Sequence, residues 1–342
     1  VSLALSSRRA ALAPGAWVRN DLWRRARAVP SLDLRFAENK SLVDATTGQS
    51  LVTFTRASSG TYVGSDGLIK TATTNEARFD HNPTTGESLG LLVEEQRTNL
   101  LLNSATLSTQ SVTVAAVAHT LSFYGTGTVT LSGVSTAGPA VGSGAYPTRT
   151  TLTFTPTAGS LTLTVTGSVT SAQLEAGAFP TSYIPTTTAT VTRSADVASI
   201  TGANFSSWYN ADQGTFAFDA KSIGAGGAGV IGIGAGTGAL YKGYTGVTRN
   251  MEWWNGTSVM STSNSIDWSV QAKGAGAYAS AERAISLNGG AVTTSATGLP
   301  NGNSMRVGAT YNGSGSLNGT VNRITYWPTR LADGTLRTIT QP

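Results

Sequence analysis

Thr151-Leu152-Thr153-Phe154-Thr155 and then Leu161-Thr162-Leu163-Thr164-Val165-Thr166 alternate apolar and hydroxyl side chains without a break. In a strand successive side chains point to opposite faces, so a period of two is the mark of half-buried β-strands. Between Ala105 and Thr192 only Arg149 and Glu175 are charged. Gly125, Gly127, Gly133, Gly138, Gly142, Gly144, Gly159 and Gly167 fall between the alternating runs, where a meander or sandwich needs its turns. The stretch predicts a small antiparallel sandwich over residues 105–195, closed by the proline-punctuated strap Phe179-Pro180-Thr181-Ser182-Tyr183-Ile184-Pro185.

Toward the C-terminus, Gly214-Thr215-Phe216-Ala217-Phe218-Asp219 and Gly319-Thr320-Val321-Asn322-Arg323-Ile324-Thr325-Tyr326-Trp327 read as strands. Asn255-Gly256, Asn288-Gly289, Asn301-Gly302, Asn312-Gly313 and Asn318-Gly319 are tight-turn signals, since both residues tolerate positive φ. A second, larger antiparallel sandwich over residues 196–342 follows. Toward the N-terminus, residues 31–104 hold half of all the acids, with Arg35, Lys40, Arg56, Lys70, Arg78 and Arg97 among them, and predict a compact β unit rich in charge pairs. Residues 1–30 are different again. Arg8, Arg9, Arg19, Arg24, Arg25 and Arg27 face only Asp21, so this segment alone accounts for the net charge of +5. Trp17, Val18, Leu22, Trp23 and Ala26 recur there at helical spacing, which predicts a short amphipathic helix within Pro14 to Val29. The fold class expected is therefore mostly β: a basic arm, a small β unit and two antiparallel sandwiches.

Composition agrees with many short strands. Gly is in excess at 40 of 342 residues, and the charged fraction of 12% is half the roughly 25% of ordinary globular chains. An apolar fraction of 39% and an aromatic fraction of 8% are too high for a disordered chain. With no cysteine, neither a disulfide framework nor a cysteine zinc site is available. No apolar run of about 18 residues exists, and Val1-Ser2-Leu3-Ala4-Leu5 reaches Arg8 before it forms a signal-peptide core. A chain made in the cytoplasm, without membrane insertion, is expected.

Enzymatic chemistry finds little footing. A glycosidase of the usual kind needs two carboxylates about 5–10 Å apart. Asp196, Asp212, Asp219, Glu252, Asp267, Glu282 and Asp333 form no recognisable pair in sequence. His81 and His119 lie in different expected units, and Asp80-His81 before Asn82-Pro83 reads as a turn. Gly224-Ala225-Gly226-Gly227-Ala228-Gly229 matches a dinucleotide fingerprint by letters but has no βαβ context. No catalytic residue, cofactor or metal site is assigned. Tyr241, Tyr244, Trp253, Trp254 and Trp268 are the candidates for a sugar-binding surface, because aromatic rings stack on sugar C–H faces. Their alternative is core packing, and adjacent Trp253 and Trp254 must point to opposite faces of a strand.

Four motifs in order carry a resemblance: Asp33-Leu34-Arg35-Phe36; Phe54-Thr55-Arg56-Ala57-Ser58-Ser59-Gly60-Thr61-Tyr62; Asn75-Glu76-Ala77-Arg78-Phe79-Asp80; and Gly90-Leu91-Leu92-Val93-Glu94-Glu95-Gln96-Arg97-Thr98-Asn99-Leu100. They resemble a segment of tailed-bacteriophage structural proteins of the head-spike and tail-fibre type. Ala172-Gln173-Leu174-Glu175-Ala176-Gly177-Ala178-Phe179-Pro180-Thr181-Ser182-Tyr183-Ile184-Pro185-Thr186 with Thr192-Arg193-Ser194-Ala195-Asp196 resembles the element that ends a carbohydrate-module-like sandwich in the same proteins. Residues 201–327 are similar, at the level of pattern, to concanavalin-like lectin sandwiches of jelly-roll type.

The resemblance implies a non-enzymatic virion subunit, a fibre or spike whose N-terminal third is the anchor and whose sandwiches are displayed, with a host-surface glycan as a possible ligand. A head decoration or neck protein is the alternative, and a polysaccharide depolymerase the second. Expected partners are other copies of the chain, a trimer, and capsid, portal-proximal or tail proteins. Arg8, Arg9, Trp17, Arg19, Trp23, Arg24, Arg25 and Arg27 are the expected docking residues, arginines pairing with carboxylates around the two tryptophans. DNA is disfavoured as the acidic partner, because six arginines without a folded basic module give only a salt-sensitive attraction.

Overall fold

The computed structural model of the chain describes residues 21–224, 227–234, 238–242, 249–256, 258–296 and 302–342. The protein is mostly β, 45% strand and 7% helix, built as antiparallel sandwiches.

The alternating stretch forms the small sandwich. One sheet is ordered Ala140–Val141, Thr128–Gly133, Gly159–Thr166, Gln110–Val114, and the other Thr150–Phe154, His119–Tyr124, Thr170–Ala176. Leu121, Phe123, Val129, Leu161, Leu163 and Leu174 are fully buried between them, while the alternate threonines face outward. The chain enters this sandwich through Arg97–Asn99 and leaves through Val191–Arg193, and these two strands pair with each other. The small sandwich is thus an insertion on a two-stranded neck.

Outside the insertion, most of the described strands build one larger sandwich, and Gly60–Val63 with Ile69–Ala72 form a separate hairpin. Among the described residues, one sheet runs Thr293–Ser295, Glu282–Leu287, Ala272–Ala279, Gly214–Ser222, Gly319–Trp327, Ser88–Val93, Phe79–His81. Facing it are Thr53–Thr55, Val197–Thr201, Ser304–Val307, Ala228–Ile233, Gly238–Lys242, Met251–Trp254 and Val259–Ser261. Gly319–Trp327 pairs on one side with Gly214–Ser222. Its other side takes Ser88–Val93 at Gly319 to Val321 and Leu32–Leu34 at Ile324 to Tyr326. Gly90 is needed at this junction: its φ is +92°, and a Cβ there would stand 2.2 Å from the Val321 carbonyl oxygen.

Residues 31–104 are therefore not a free-standing unit. They supply strands to both sheets, and Leu32, Leu34, Phe36, Phe54, Leu91 and Val93 share one core with Ile200, Phe216, Trp253 and Tyr326. Their own apolar side chains are too few to close a separate core, so they complete that of the C-terminal half.

The expected amphipathic helix is seen as Asp21–Ala26, with Trp23 and Ala26 turned inward and Arg27 ending it at φ 51°. It lies beside the helix Asp333–Ile339. Together they cover an alanine-rich face of the larger sheet formed by Ala217, Ala275, Ala277 and Ala284. Small side chains there let the helices approach closely.

Candidate functional site

Charged residues of three of the four motifs, Arg56, Arg78 and Glu94, meet Arg193 and Asp196 at the base of the neck, while Asp33 of the first motif pairs with Arg35 and Arg323 elsewhere. Asp196 accepts from Arg56 Nη1 at 3.1 Å, from the Glu94 amide at 2.8 Å and from Arg78 Nη2. Glu94 pairs with Arg78 Nη1 at 2.8 Å and Arg193 Nη1 at 2.9 Å, and accepts from the Ser182 amide and hydroxyl at 2.7 and 2.6 Å. All five ionic side chains are at most 3% exposed. Burial alone would push the Glu94 carboxyl up, but Arg193 and Arg78, with the Ser182 bonds, outweigh it and hold it at about 2. Three guanidinium groups against two carboxylates leave donors over, and backbone carbonyls take several of them: Arg56 donates to Ser58, Thr73 and Glu76, Arg78 to Thr61 and Arg193 to Glu95, while the Nε of Arg78 and of Arg193 are buried without a hydrogen bond among the described residues.

A second set of buried polar contacts holds the strap. Asn99 donates to the carbonyls of Ala172 and Ile184 at 3.0 and 2.8 Å. Glu175 accepts from the Thr181 amide and hydroxyl at 2.8 and 2.7 Å, and Gln173 Oε1 accepts from the Ile184 amide at 2.6 Å. Arg97 crosses the same place, its guanidinium 4.8 Å from the Phe179 ring centroid. Only glycine fits beneath it: at Gly177, φ +132°, a Cβ would stand 1.6 Å from Arg97 Nη1. The motif residues thus act inside the protein. They lock the neck, the strap and the larger sandwich together.

The expected sugar surface does not assemble as one face. Trp253 is 1% and Trp268 2% exposed, both in the large core. Trp268 lies parallel to Phe218 and donates to the Arg249 carbonyl at 2.9 Å. Trp254 points the other way from Trp253, as strand alternation requires, and is half-buried. Tyr244 and the side chain of Tyr241 lie outside the described residues. The domain is poor in large aliphatic residues, so tryptophan fills its centre.

The docking set also divides. Arg8, Arg9, Trp17 and Arg19 lie outside the described residues. Trp23 is no exposed anchor: it is 4% exposed, and its Nε1 donates to Asp33 at 3.0 Å. Arg25 donates to the Thr338 carbonyl, satisfying the end of the last helix. Arg24, paired with Asp21 at 2.5 Å, and Arg27 stay exposed.

Two concavities flank the hairpin of Gly60–Val63 and Ile69–Ala72. One is a cleft of about 190 Å³ lined by Tyr62, Asp80, Tyr124, Arg149 and Tyr183. Burial, with the nearby Glu94 charge, pushes the Asp80 carboxyl up to about 6 even though its Oδ1 accepts from the Val63 amide at 2.7 Å. The other is an open groove of about 730 Å³ walled by Leu42, Tyr62, Ala77, Phe79 and His81. Asp80-His81 is not the local turn that the sequence predicts. Asn82 makes the turn, accepting from the Thr84 and Thr85 amides, while Asp80 and His81 reach across to Val63. The Asp80 cleft draws its lining from Thr61 to Ile223, whereas the groove is lined within residues 40–81 and depends on how the hairpin folds against Phe79 and His81.

No family model matches the sequence, and no curated protein does. Solved structures with some likeness include the Ruminococcus gnavus IT-sialidase CBM40 bound to α2,3-sialyllactose (TM-score 0.33, 16% identity, 39% of this chain and 84% of that one). The heptameric SAP-like pentraxin from Limulus polyphemus gives TM-score 0.29 and 12% identity over 38% and 70% of the two chains. Trypanosoma rangeli sialidase in complex with the inhibitor DANA gives 0.30 and 16% over 42% and 26%. At these scores the likenesses assign neither ligand nor activity.

Proposed function

We propose that the chain is a non-enzymatic structural subunit of a tailed-phage particle, of the fibre, spike or decoration kind, which presents its small sandwich on a rigid neck. The observation that supports this reading is that residues of three of the motifs that resemble such proteins build, with Arg193 and Asp196, one interior lock joining an inserted sandwich to a larger one. A lock of five buried charges suits a part that must hold one shape under mechanical and diffusional stress. Attachment in this reading belongs to the N-terminal third, with the segment before Asp21 and the exposed Arg24 and Arg27 as its docking residues. Self-association, as a trimer, belongs to the same reading. The test is mass spectrometry of purified particles together with electron microscopy of particles whose subunit carries a C-terminal label. The subunit is expected at a fixed copy number and a fixed position, and its absence from washed particles would overturn the reading.

A further inference from the structure

The groove beside the Gly60–Val63 hairpin has the size of a ligand site. Its volume of about 730 Å³ lies within the roughly 300–1,000 Å³ of small-ligand clefts, whereas the Asp80 cleft, at about 190 Å³, is smaller than that range. Tyr62 and Phe79, both half-buried, present ring surface to it, with Leu42 and Ala77 between.

At its wall stands His81, 5% exposed. Its Nδ1 lies 3.0 Å from the Val63 carbonyl oxygen. A carbonyl can only accept, so Nδ1 is the nitrogen that donates to Val63, and Nε2 is the ring's other polar atom. That Nε2 is buried and has no partner among the described residues. A buried polar atom without a partner is costly enough that nearly all are satisfied, by protein, water or ligand.

The rim carries Lys40, Lys70, Asp66 and Glu76, two charges of each sign. Lys70 and Asp66 pair with each other at 2.5 Å. Glu76 is turned to the Thr73 amide and hydroxyl at 2.7 and 3.0 Å. The groove therefore has no net charge to attract an anion or a polycation. It offers ring faces, one buried ring nitrogen without a partner among the described residues and a rim of polar donors and acceptors. A ligand with C–H faces, many hydroxyls and no charge meets all three.

We propose that this groove, formed by Tyr62, Phe79 and His81, binds a neutral oligosaccharide. The inference does not depend on the virion reading, since it concerns the purified chain alone. Nor does it use the tryptophans of the larger sandwich. The rival occupant is an extended peptide, because Ile69–Ala72 pairs only with Gly60–Val63 among the described residues and has a free edge.

The test begins with the full chain on a glycan array spanning neutral hexose, N-acetylhexosamine and deoxyhexose oligosaccharides and acidic ones, with Thr/Val-rich pentapeptides printed alongside. The expected result is retention of at least one neutral glycan. Calorimetry with that glycan should show binding weakened at least tenfold by Tyr62→Ala and unchanged by Trp254→Ala. A direct readout guards against a folding defect in the variant. The chain has 2 histidines, so ¹⁵N-imidazole spectra of the unmutated protein should show the glycan moving the His81 Nε2 signal and leaving the His119 ring unmoved. The proposal fails if no neutral glycan is retained. It fails also if only acidic glycans or peptides bind, or if the His81 signal does not move on binding.

Discussion

The inserted sandwich and the neck beneath it are made of opposite materials. Above the neck, between Ala105 and Thr192, only two charged residues occur, and the core is Leu121, Phe123, Val129, Leu161 and Leu163. Below it, Arg56, Arg78, Glu94, Arg193 and Asp196 are buried together. An apolar core is forgiving of detail, because hydrophobic burial is non-directional. A buried ion network is not, since each charge is tolerable only while its partners stand in place. The insertion is thus held internally by area and externally by geometry, and the two should fail differently.

The largest effect is expected at the neck. Asp196→Ala removes the carboxylate shared by Arg56 and Arg78 and leaves three buried guanidinium groups with Glu94 alone. Removing one partner of a buried pair costs about 3–5 kcal/mol. Leu163→Ala, in the insertion's core, should cost about 2–5 kcal/mol. Urea unfolding followed at the two regions separates them. Leu163→Ala should lower the midpoint of the insertion and leave the large sandwich in place. Asp196→Ala should lower both, because Asp196 lies next to Val197–Thr201 in the large sandwich as well as at the neck. Equal and local effects from both substitutions would show that the lock joins nothing.

The same contrast explains what the sequence discloses. Thr151 to Thr166 is legible because each strand's pattern is set by neighbours two residues away, and the sandwich follows from it. The Asn-Gly signals are legible for the same local reason: at Asn288-Gly289 both residues take positive φ. The placement of residues 31–104 is not legible. Their charges suggest an independent polar unit, yet Arg56 meets Asp196 across 140 residues and Arg323 meets Asp33 across 290. The motifs were visible as motifs, but their role as an interior lock depends on contacts of that range. The tryptophans mislead for a related reason, since period-two alternation says that Trp253 and Trp254 face opposite ways but not which of them faces in.

An intermediate effect is expected from Asp80, at the edge of the lock. Its carboxyl rises from an ordinary 3.8 to about 6 in the folded chain. Between those values the native state holds a proton that the unfolded state has released, so stability falls as pH rises through the window. Asp80→Asn removes that cost and keeps an oxygen for the Val63 amide. It should raise stability by about 1–3 kcal/mol at pH 7 and leave it unchanged below pH 4, given about 1.4 kcal/mol per unit. Glu94 has the opposite sign. Held at about 2 against an ordinary 4.5, it contributes stability that is complete above 4.5 and lost as pH falls toward 2. Urea midpoints of the parent and Asp80→Asn proteins from pH 3 to 8 check both. Parallel curves across that range would show that Asp80 ionises as freely in the fold as outside it.

The smallest effect on stability is expected where charge was read as most important. Arg24 and Arg27 are exposed, and among the described residues the side chain of Arg24 pairs with Asp21, itself exposed. Surface pairs of this kind contribute about 0–1 kcal/mol, because solvent screens them and two long side chains must be held still. The double variant Arg24→Ala with Arg27→Ala should therefore unfold within about 0.5 kcal/mol of the parent. Arg25 is left alone, since its guanidinium closes the last helix. If the exposed arginines take part in docking, the same variant should nevertheless be lost from assembled particles, or retained at a much reduced copy number. Stability and incorporation would then separate at these positions, whereas at Asp196 they should fall together. A stable double variant incorporated at full copy number would remove the exposed arginines from the attachment surface and leave it to the residues before Asp21.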